Sequence, residues 1–324
     1  MPPHAPSSPF PDTGAISDYA GAVSAAPALR RQLDWGSLAP LRIRSRLVAE
    51  GVYAGAHRSA RRGAGVEFGG HRAYTPGDDL RWLDRRSLLL HDRLLVRQFE
   101  TETDRALRLV VDATASMGYR GATAPGAKLA FCALVSAALA RVAVSSGDPV
   151  GLTYLGGSPG TRSLPVSGGR EAFERIIGSL EAAQAGGDAL FDPNVLERAL
   201  GAIARSARRG SIVVVLSDLL DLPEVAADRV SAIAARGRLL VVVQVLDPDE
   251  ATLPFEGTMR LRSLEGGVVV ETDVEATRAR YLASLADLQQ AWDKTLAARG
   301  ARFVRALTTD DPVRVVREIV QAAR

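Results

Sequence analysis

A single cysteine, Cys132, in a chain of 324 residues rules out an intramolecular disulfide and a thiolate zinc cluster, and it fits a reducing cytoplasm. Aromatic residues make up only 5% of the chain, which leaves no stacking platform for single-stranded nucleic acid and makes nucleic acid an unfavoured partner. Histidine is equally scarce: His4, His57, His71 and His91 show no ligand-like spacing. Long hydrophobic runs are missing too. The most apolar helical stretch, residues 129–144, is rich in alanine and shorter than the roughly 20 residues that span a bilayer, so no membrane span is expected. Residues 1–27 are rich in Pro, Ser and Ala, with neither a basic start nor an apolar core. They read as a disordered leader rather than a secretory signal.

Lysine is the last scarcity: Lys128 and Lys294 are the only two among 40 basic residues. The arginine bias fits high-GC coding, with a cationic face for an acidic partner as the functional alternative. Net charge is uneven, because residues 1–105 carry 15 arginines against 12 acids while the remainder balances.

What the chain does contain is ordinary for a globular protein, 47% hydrophobic and 24% charged. Its length suits one large domain and a smaller region. Residues 28–54 read as one or two short helices broken around Gly36 and Pro40, and residues 55–68 as a glycine-punctuated loop. From residue 107 onward apolar strands alternate with helices. Strands are expected at 107–111, 150–155, 211–216, 239–246 and 302–307, and helices at 127–145, 170–185, 194–208, 224–236, 274–299 and 312–323. Residues 259–263 and 268–271 read as a hairpin. The alternation predicts an α/β fold, a doubly wound and mostly parallel sheet covered on both faces. A strand at 161–166 follows its neighbour through a five-residue turn and must run antiparallel, since a parallel crossover needs about a dozen residues. The expected units are a leader (1–28), an N-terminal region (29–105) and the α/β domain (106–324).

Two strands end in carboxylates, at Asp112 and Asp218. As neighbours they would meet at the carboxyl edge of the sheet, where open α/β sheets bind ligands. Thr114, Ser116 and Ser217 would surround them, and the loop Gly186-Gly187-Asp188 can approach from the side. Oxygen-only donors suit a hard cation, Mg²⁺ first and Mn²⁺ or Ca²⁺ as alternatives. The bland alternative for any one such aspartate is helix capping or turn closure.

Asp112-Ala113-Thr114-Ala115-Ser116 resembles the DxSxS motif that begins the metal-ion-dependent adhesion site of von Willebrand factor A domains, and Asp218 matches the later aspartate of that site. Upstream, residues 57–84 resemble the block that marks the domain-of-unknown-function 58 family, with Gly-x-His-x-Ser, Gly-x-Glu-Phe, Arg-x-Tyr and Pro-Gly-Asp-Asp. Val96-Arg97-Gln98-Phe99-Glu100 continues it. The resemblance implies a von Willebrand A-like domain with a family-specific N-terminal region, acting as partner of a MoxR-type AAA+ ATPase or of its protein client in assembly, maturation or remodelling. It implies Thr114 and Ser116 as direct ligands, Asp112 and Asp218 as anionic ones, and an open position for a partner's acidic group. Three departures stand out. Thr114 replaces a serine, and the tryptophan of the family's Ile-Asp-Trp segment is absent after Asp84. Asp188 stands where a threonine ligand is expected, and either replaces it or leaves the site degenerate.

Enzyme readings are weaker. Gly121 to Lys128 has the look of a phosphate-binding loop, but its lysine comes one place late and Leu129 stands where Ser or Thr should hold Mg²⁺. Gly156-Gly157-Ser158-Pro159-Gly160 fits a nucleophile elbow in letters, yet a strand rather than a helix follows, which makes Ser158 a turn residue. A Mg²⁺-dependent phosphohydrolase centred on Asp112 is the alternative from another class. The expectation is a non-enzymatic, cytoplasmic interaction protein.

Overall fold

The computed structural model describes residues 41–54, 67–73, 95–100, 105–159, 161–187, 194–220, 222–223, 225–264 and 269–323. Its elements, in chain order, are α1 (Leu41–Ala54), β1 (Glu67–Ala73), β2 (Leu95–Glu100), β3 (Leu107–Ala113), α2 (Lys128–Ser145), β4 (Val150–Gly156), β5 (Leu164–Ser167), α3 (Gly169–Ala182) and α4 (Val195–Ser206). They continue with β6 (Ile212–Ser217), α5 (Ala226–Ser231), β7 (Leu239–Leu246), α6 (Pro248–Thr252), β8 (Thr258–Arg262), β9 (Val269–Asp273), α7 (Val274–Ala297), β10 (Arg302–Leu307) and α8 (Pro312–Ala322).

Six strands form one sheet in the order β10-β7-β6-β3-β4-β5. All neighbouring pairs are parallel except β4 with β5, where the short turn forces reversal as expected. The fold is thus the doubly wound, mostly parallel α/β sheet that the strand–helix alternation predicts. From β3 the chain moves outward through β4 to β5, then returns to lay β6 on the other side of β3. Strand order therefore reverses between β3 and β6, the place at whose carboxyl ends open α/β sheets bind ligands.

Alternation along each strand feeds two cores, because successive side chains point to opposite faces. Leu109, Val111 and Ala113 of β3 pack with α1, α2, α3 and α8, whereas Val110 packs with α4, α5 and α7. The central strands are buried on both faces, which is why they read as continuous β-branched runs. Helix α1 contributes Leu41, Val48 and Val52 to the first core, and Tyr53 donates to the Val142 carbonyl of α2 at 3.1 Å. The α/β core thus includes a helix from the region read as N-terminal.

Helix α2 carries an 18-residue stretch long and apolar enough to cross a bilayer, but 78% of it is buried inside the protein as the centre of the first core. Packing needs explain its alanines, which let it approach the sheet closely.

Three readings change. Residues 67–73, partly read as loop, form β1 and pair antiparallel with β2, with an irregularity between Phe68 and Gly70 where the glycines lie. The helix expected over 224–236 is only Ala226–Ser231, followed by a 3-10 segment that breaks at Ala235 and Arg236 (φ 65°). Helix α6 has no counterpart among the expected elements.

Candidate functional site

Strand β3 delivers Asp112 to the reversal point, and backbone turns arrange the residues after it. The Thr114 N–H and Oγ1 both donate to Asp112 Oδ1, at 2.9 and 2.7 Å. Thr114 Oγ1 and Ser116 Oγ lie 3.2 Å apart, with Ser116 in a single 3-10 turn, Ala115–Gly118. From the neighbouring strand, Ser217 Oγ donates to Asp112 Oδ2 at 2.6 Å. Both carboxylate oxygens are therefore engaged. Asp112, Thr114 and Ser217 are buried, and Ser116, 9% exposed, is the most accessible of the four. Burial, reinforced by the nearby Asp218 carboxylate, pushes the Asp112 pKa up to about 7 against the hydrogen bonds from Ser217 and Thr114 that favour its charge.

Asp218 follows β6 directly. Its Oδ1 accepts from the Leu220 N–H at 3.2 Å, and its carbonyl accepts from Gln244 Nε2 at 3.0 Å. Leu219, between them, is a buried non-glycine residue at φ 62°, a strained conformation held by its N–H bond to Ser217 Oγ at 3.0 Å. Asp218 Oδ2 accepts from Lys128 Nζ at 2.7 Å, and the same ammonium donates to Glu250 Oε1 at 2.5 Å. Burial alone would lower the Lys128 pKa, but the charges of Asp218 and Glu250 outweigh it and hold the ammonium above the ordinary lysine range.

Glu250 is placed by α6. Asp247 caps this helix with Pro248 next in line, and a reciprocal capping box brings Glu250 Oε2 onto the Asp247 N–H at 2.9 Å. Asp247 Oδ2 also accepts from the Gly121 N–H at 2.8 Å, tying the loop between β3 and α2 to α6. A Cβ at Gly121 would fall 2.3 Å from carboxylate oxygens of both Asp247 and Asp249, so a side chain there would have to displace both carboxylates.

The side loop reaches the site through its backbone. Gly186 N–H donates to the Ala113 carbonyl at 2.8 Å, and Ala115 N–H donates to the Gly187 carbonyl at 3.1 Å. Asp188, the fifth sequence-derived candidate, lies outside the described residues. At the end of β4, Gly156 adopts φ 63°, and a Cβ there would stand 2.9 Å from Thr114 Cγ2. Gly156→Ala should therefore cost about 1–2 kcal/mol and displace the Thr114 hydroxyl, which chemical denaturation and the Thr114 methyl resonance would report.

The structure thus brings together four of the five candidates, Asp112, Thr114, Ser116 and Asp218. The two hydroxyls and Asp112 converge as hard-cation donors, so their chemistry fits Mg²⁺. Carboxylates alone do not suffice: among the described residues no group of three or more His, Cys, Asp or Glu could hold a metal. The sequence reading missed the role of Lys128 and missed Asp247 and Glu250 altogether. Asp247-Pro248-Asp249-Glu250 carries a capping signature that could have found the last two.

Among known proteins, the family model described as "Protein of unknown function DUF58" matches residues 70–291. Uncharacterised proteins of Mycobacterium bovis and Mycobacterium tuberculosis are 32% identical over 272 residues, covering 81% of this chain and 81% of theirs. Among solved structures, conserved hypothetical protein BatB from Bacteroides thetaiotaomicron is similar with a TM-score of 0.41 and 16% identity, covering 68% of this chain and 98% of that one. A von Willebrand factor type A protein from Catenulispora acidiphila is similar with a TM-score of 0.34 and 15% identity, covering 71% and 43%.

Proposed function

We propose, for a chain that belongs to the DUF58 family, that the carboxyl edge of its sheet is a protein-docking site and that the protein is a non-enzymatic, cytoplasmic interaction module. In this reading Asp112, Thr114, Ser116 and Asp218 hold a divalent cation, and the partner is a MoxR-type AAA+ ATPase or that ATPase's protein client. When bound, the ion supplies positive charge and a free coordination position for an acidic side chain. The observation that carries the proposal is the chain of oxygens from Asp112 through the Thr114 hydroxyl to the Ser116 hydroxyl at the point where strand order reverses. The donors are recessed, with Asp112 1% and Thr114 2% exposed, so a partner would engage them through one inserted side chain while the surrounding rim provides the wider contact.

Each residue then has a stated part. Asp112 orients Thr114 by accepting from both its N–H and its hydroxyl, Ser217 locks the second Asp112 oxygen, and Ser116 presents the accessible donor. The Thr114 hydroxyl gives its proton to Asp112 and keeps its oxygen lone pairs for an ion, while burial of Thr114 and Ser217 keeps both hydroxyls from a substrate.

The test is capture of a purified MoxR-type ATPase by the immobilised full chain, in millimolar Mg²⁺ and in EDTA. Capture should weaken at least about tenfold, ~1.4 kcal/mol, in EDTA and in Asp112→Ala. Robust turnover of a generic phosphate ester by the wild type, lost in Asp112→Ala, would overturn the reading in favour of a phosphohydrolase.

A further inference from the structure

Lys128 is one of two lysines in the chain, has no solvent exposure, and opens helix α2. A helix N-terminus disfavours a positive charge, so neither the helix nor the solvent explains its place. Two carboxylates do. Asp218 Oδ2 and Glu250 Oε1 accept from Nζ at 2.7 and 2.5 Å. Neither acid is free to drift. Asp218 is pinned by the Leu220 N–H, and Glu250 is fixed by the capping box, with Tyr281 donating to its carbonyl at 2.7 Å. The ammonium therefore occupies a prepared seat, built from three segments that lie far apart in sequence.

That seat overlaps the cation site at the same edge, because Asp218 belongs to both. A divalent ion bound to Asp218 would put two further positive charges against a buried ammonium with little water between them, where repulsion is strong. We propose that the Lys128 ammonium is the resident cation of this edge and competes with a divalent ion for Asp218. The edge is then folded and partly charge-balanced without metal, and an ion gains Asp218 only as the lysine shifts wholly onto Glu250. The ion's place in this scheme rests on the docking-site reading, but the lysine's place does not. A neighbouring opposite or like charge moves an ionic equilibrium by about ten- to a thousandfold, so the competition is measurable.

The experiment titrates Mn²⁺ and Mg²⁺ alone, by calorimetry, into the full-length wild type, Lys128→Met and the double variant Lys128→Met with Glu250→Gln. Thermal unfolding of each is followed in EDTA and in Mg²⁺. The double variant removes the lysine together with one of its acids, so it keeps the test available if the single variant does not fold. The wild type should show a smaller rise of unfolding temperature in Mg²⁺ than the folded lysine-free variants do, because its ion must first displace the lysine. The folded lysine-free variants should bind Mn²⁺ at least about tenfold more tightly and unfold at a higher temperature in Mg²⁺ than in EDTA. Unchanged affinity in a folded lysine-free variant would overturn the competition, whatever the wild type binds. An ion bound only by the lysine-free variants would support the competition while removing the cation from the docking-site reading, so the two proposals fail separately.

Discussion

Replacing Lys128 by alanine should cost about 3–5 kcal/mol of folding stability, the range for breaking a buried ion pair from one side. The loss comes less from the absent attraction than from what stays behind. Asp218 and Glu250 would face each other across an empty seat, with Asp218 2% exposed and the Glu250 side chain 18% exposed. Asp112 adds a third buried carboxylate nearby, whose pKa Asp218 already raises. Denaturant unfolding would give the number, provided the slope matches that of the wild type. Combining Lys128→Ala with Glu250→Gln should recover at least about 1 kcal/mol, because one stranded charge goes with the lysine. A single variant as stable as the wild type would mean that Asp218 and Glu250 are neutralised by something other than Lys128.

Asp112→Asn should act in the opposite direction, raising stability by about 1–2 kcal/mol while removing the docking function. No described cation contacts Asp112, and burial together with Asp218 disfavours its charged form. Asparagine keeps an acceptor for the Thr114 N–H and hydroxyl, and its amide can donate to Ser217 with the direction of that bond reversed, so most of the hydrogen-bond geometry survives while the charge does not. Asp112→Ala differs: it strands the Thr114 N–H and the Ser217 hydroxyl and should cost about 1–3 kcal/mol. Comparing the two separates loss of function from loss of fold. A destabilised Asp112→Asn would indicate that the carboxylate charge is balanced in the free protein.

The sheet was legible because its central strands are buried on both faces and so are written as unbroken apolar runs, such as Val213 to Leu216 in β6. Topology rules then did the rest. With β3 and β6 adjacent and parallel, Asp112 and Asp218 had to meet at one edge, and a connection too short for a parallel crossover fixed the antiparallel β5, although β5 begins at Leu164 rather than at residue 161. Long-range pairing of charge was not legible. Lys128 reads locally as a helix-opening lysine misplaced for a phosphate loop, since nothing within its own segment indicates Asp218, 90 positions on, or Glu250, 122 positions on. Helix α6 escaped because five residues are too few for a helical period, leaving only its capping chemistry as a signal. Strand β1 escaped because Gly69 and Gly70 lower strand propensity, which pairing with β2 overrides.

The most direct measurement of whether this sheet edge is a docking site is the affinity of a MoxR-type AAA+ ATPase for the wild type and for Asp112→Asn in Mg²⁺, with unfolding curves taken on the same samples. The expected result is binding at least about tenfold weaker, ~1.4 kcal/mol, for an asparagine variant that is at least as stable as the wild type. Equal affinity for the two proteins, both folded, would contradict a docking role for this edge.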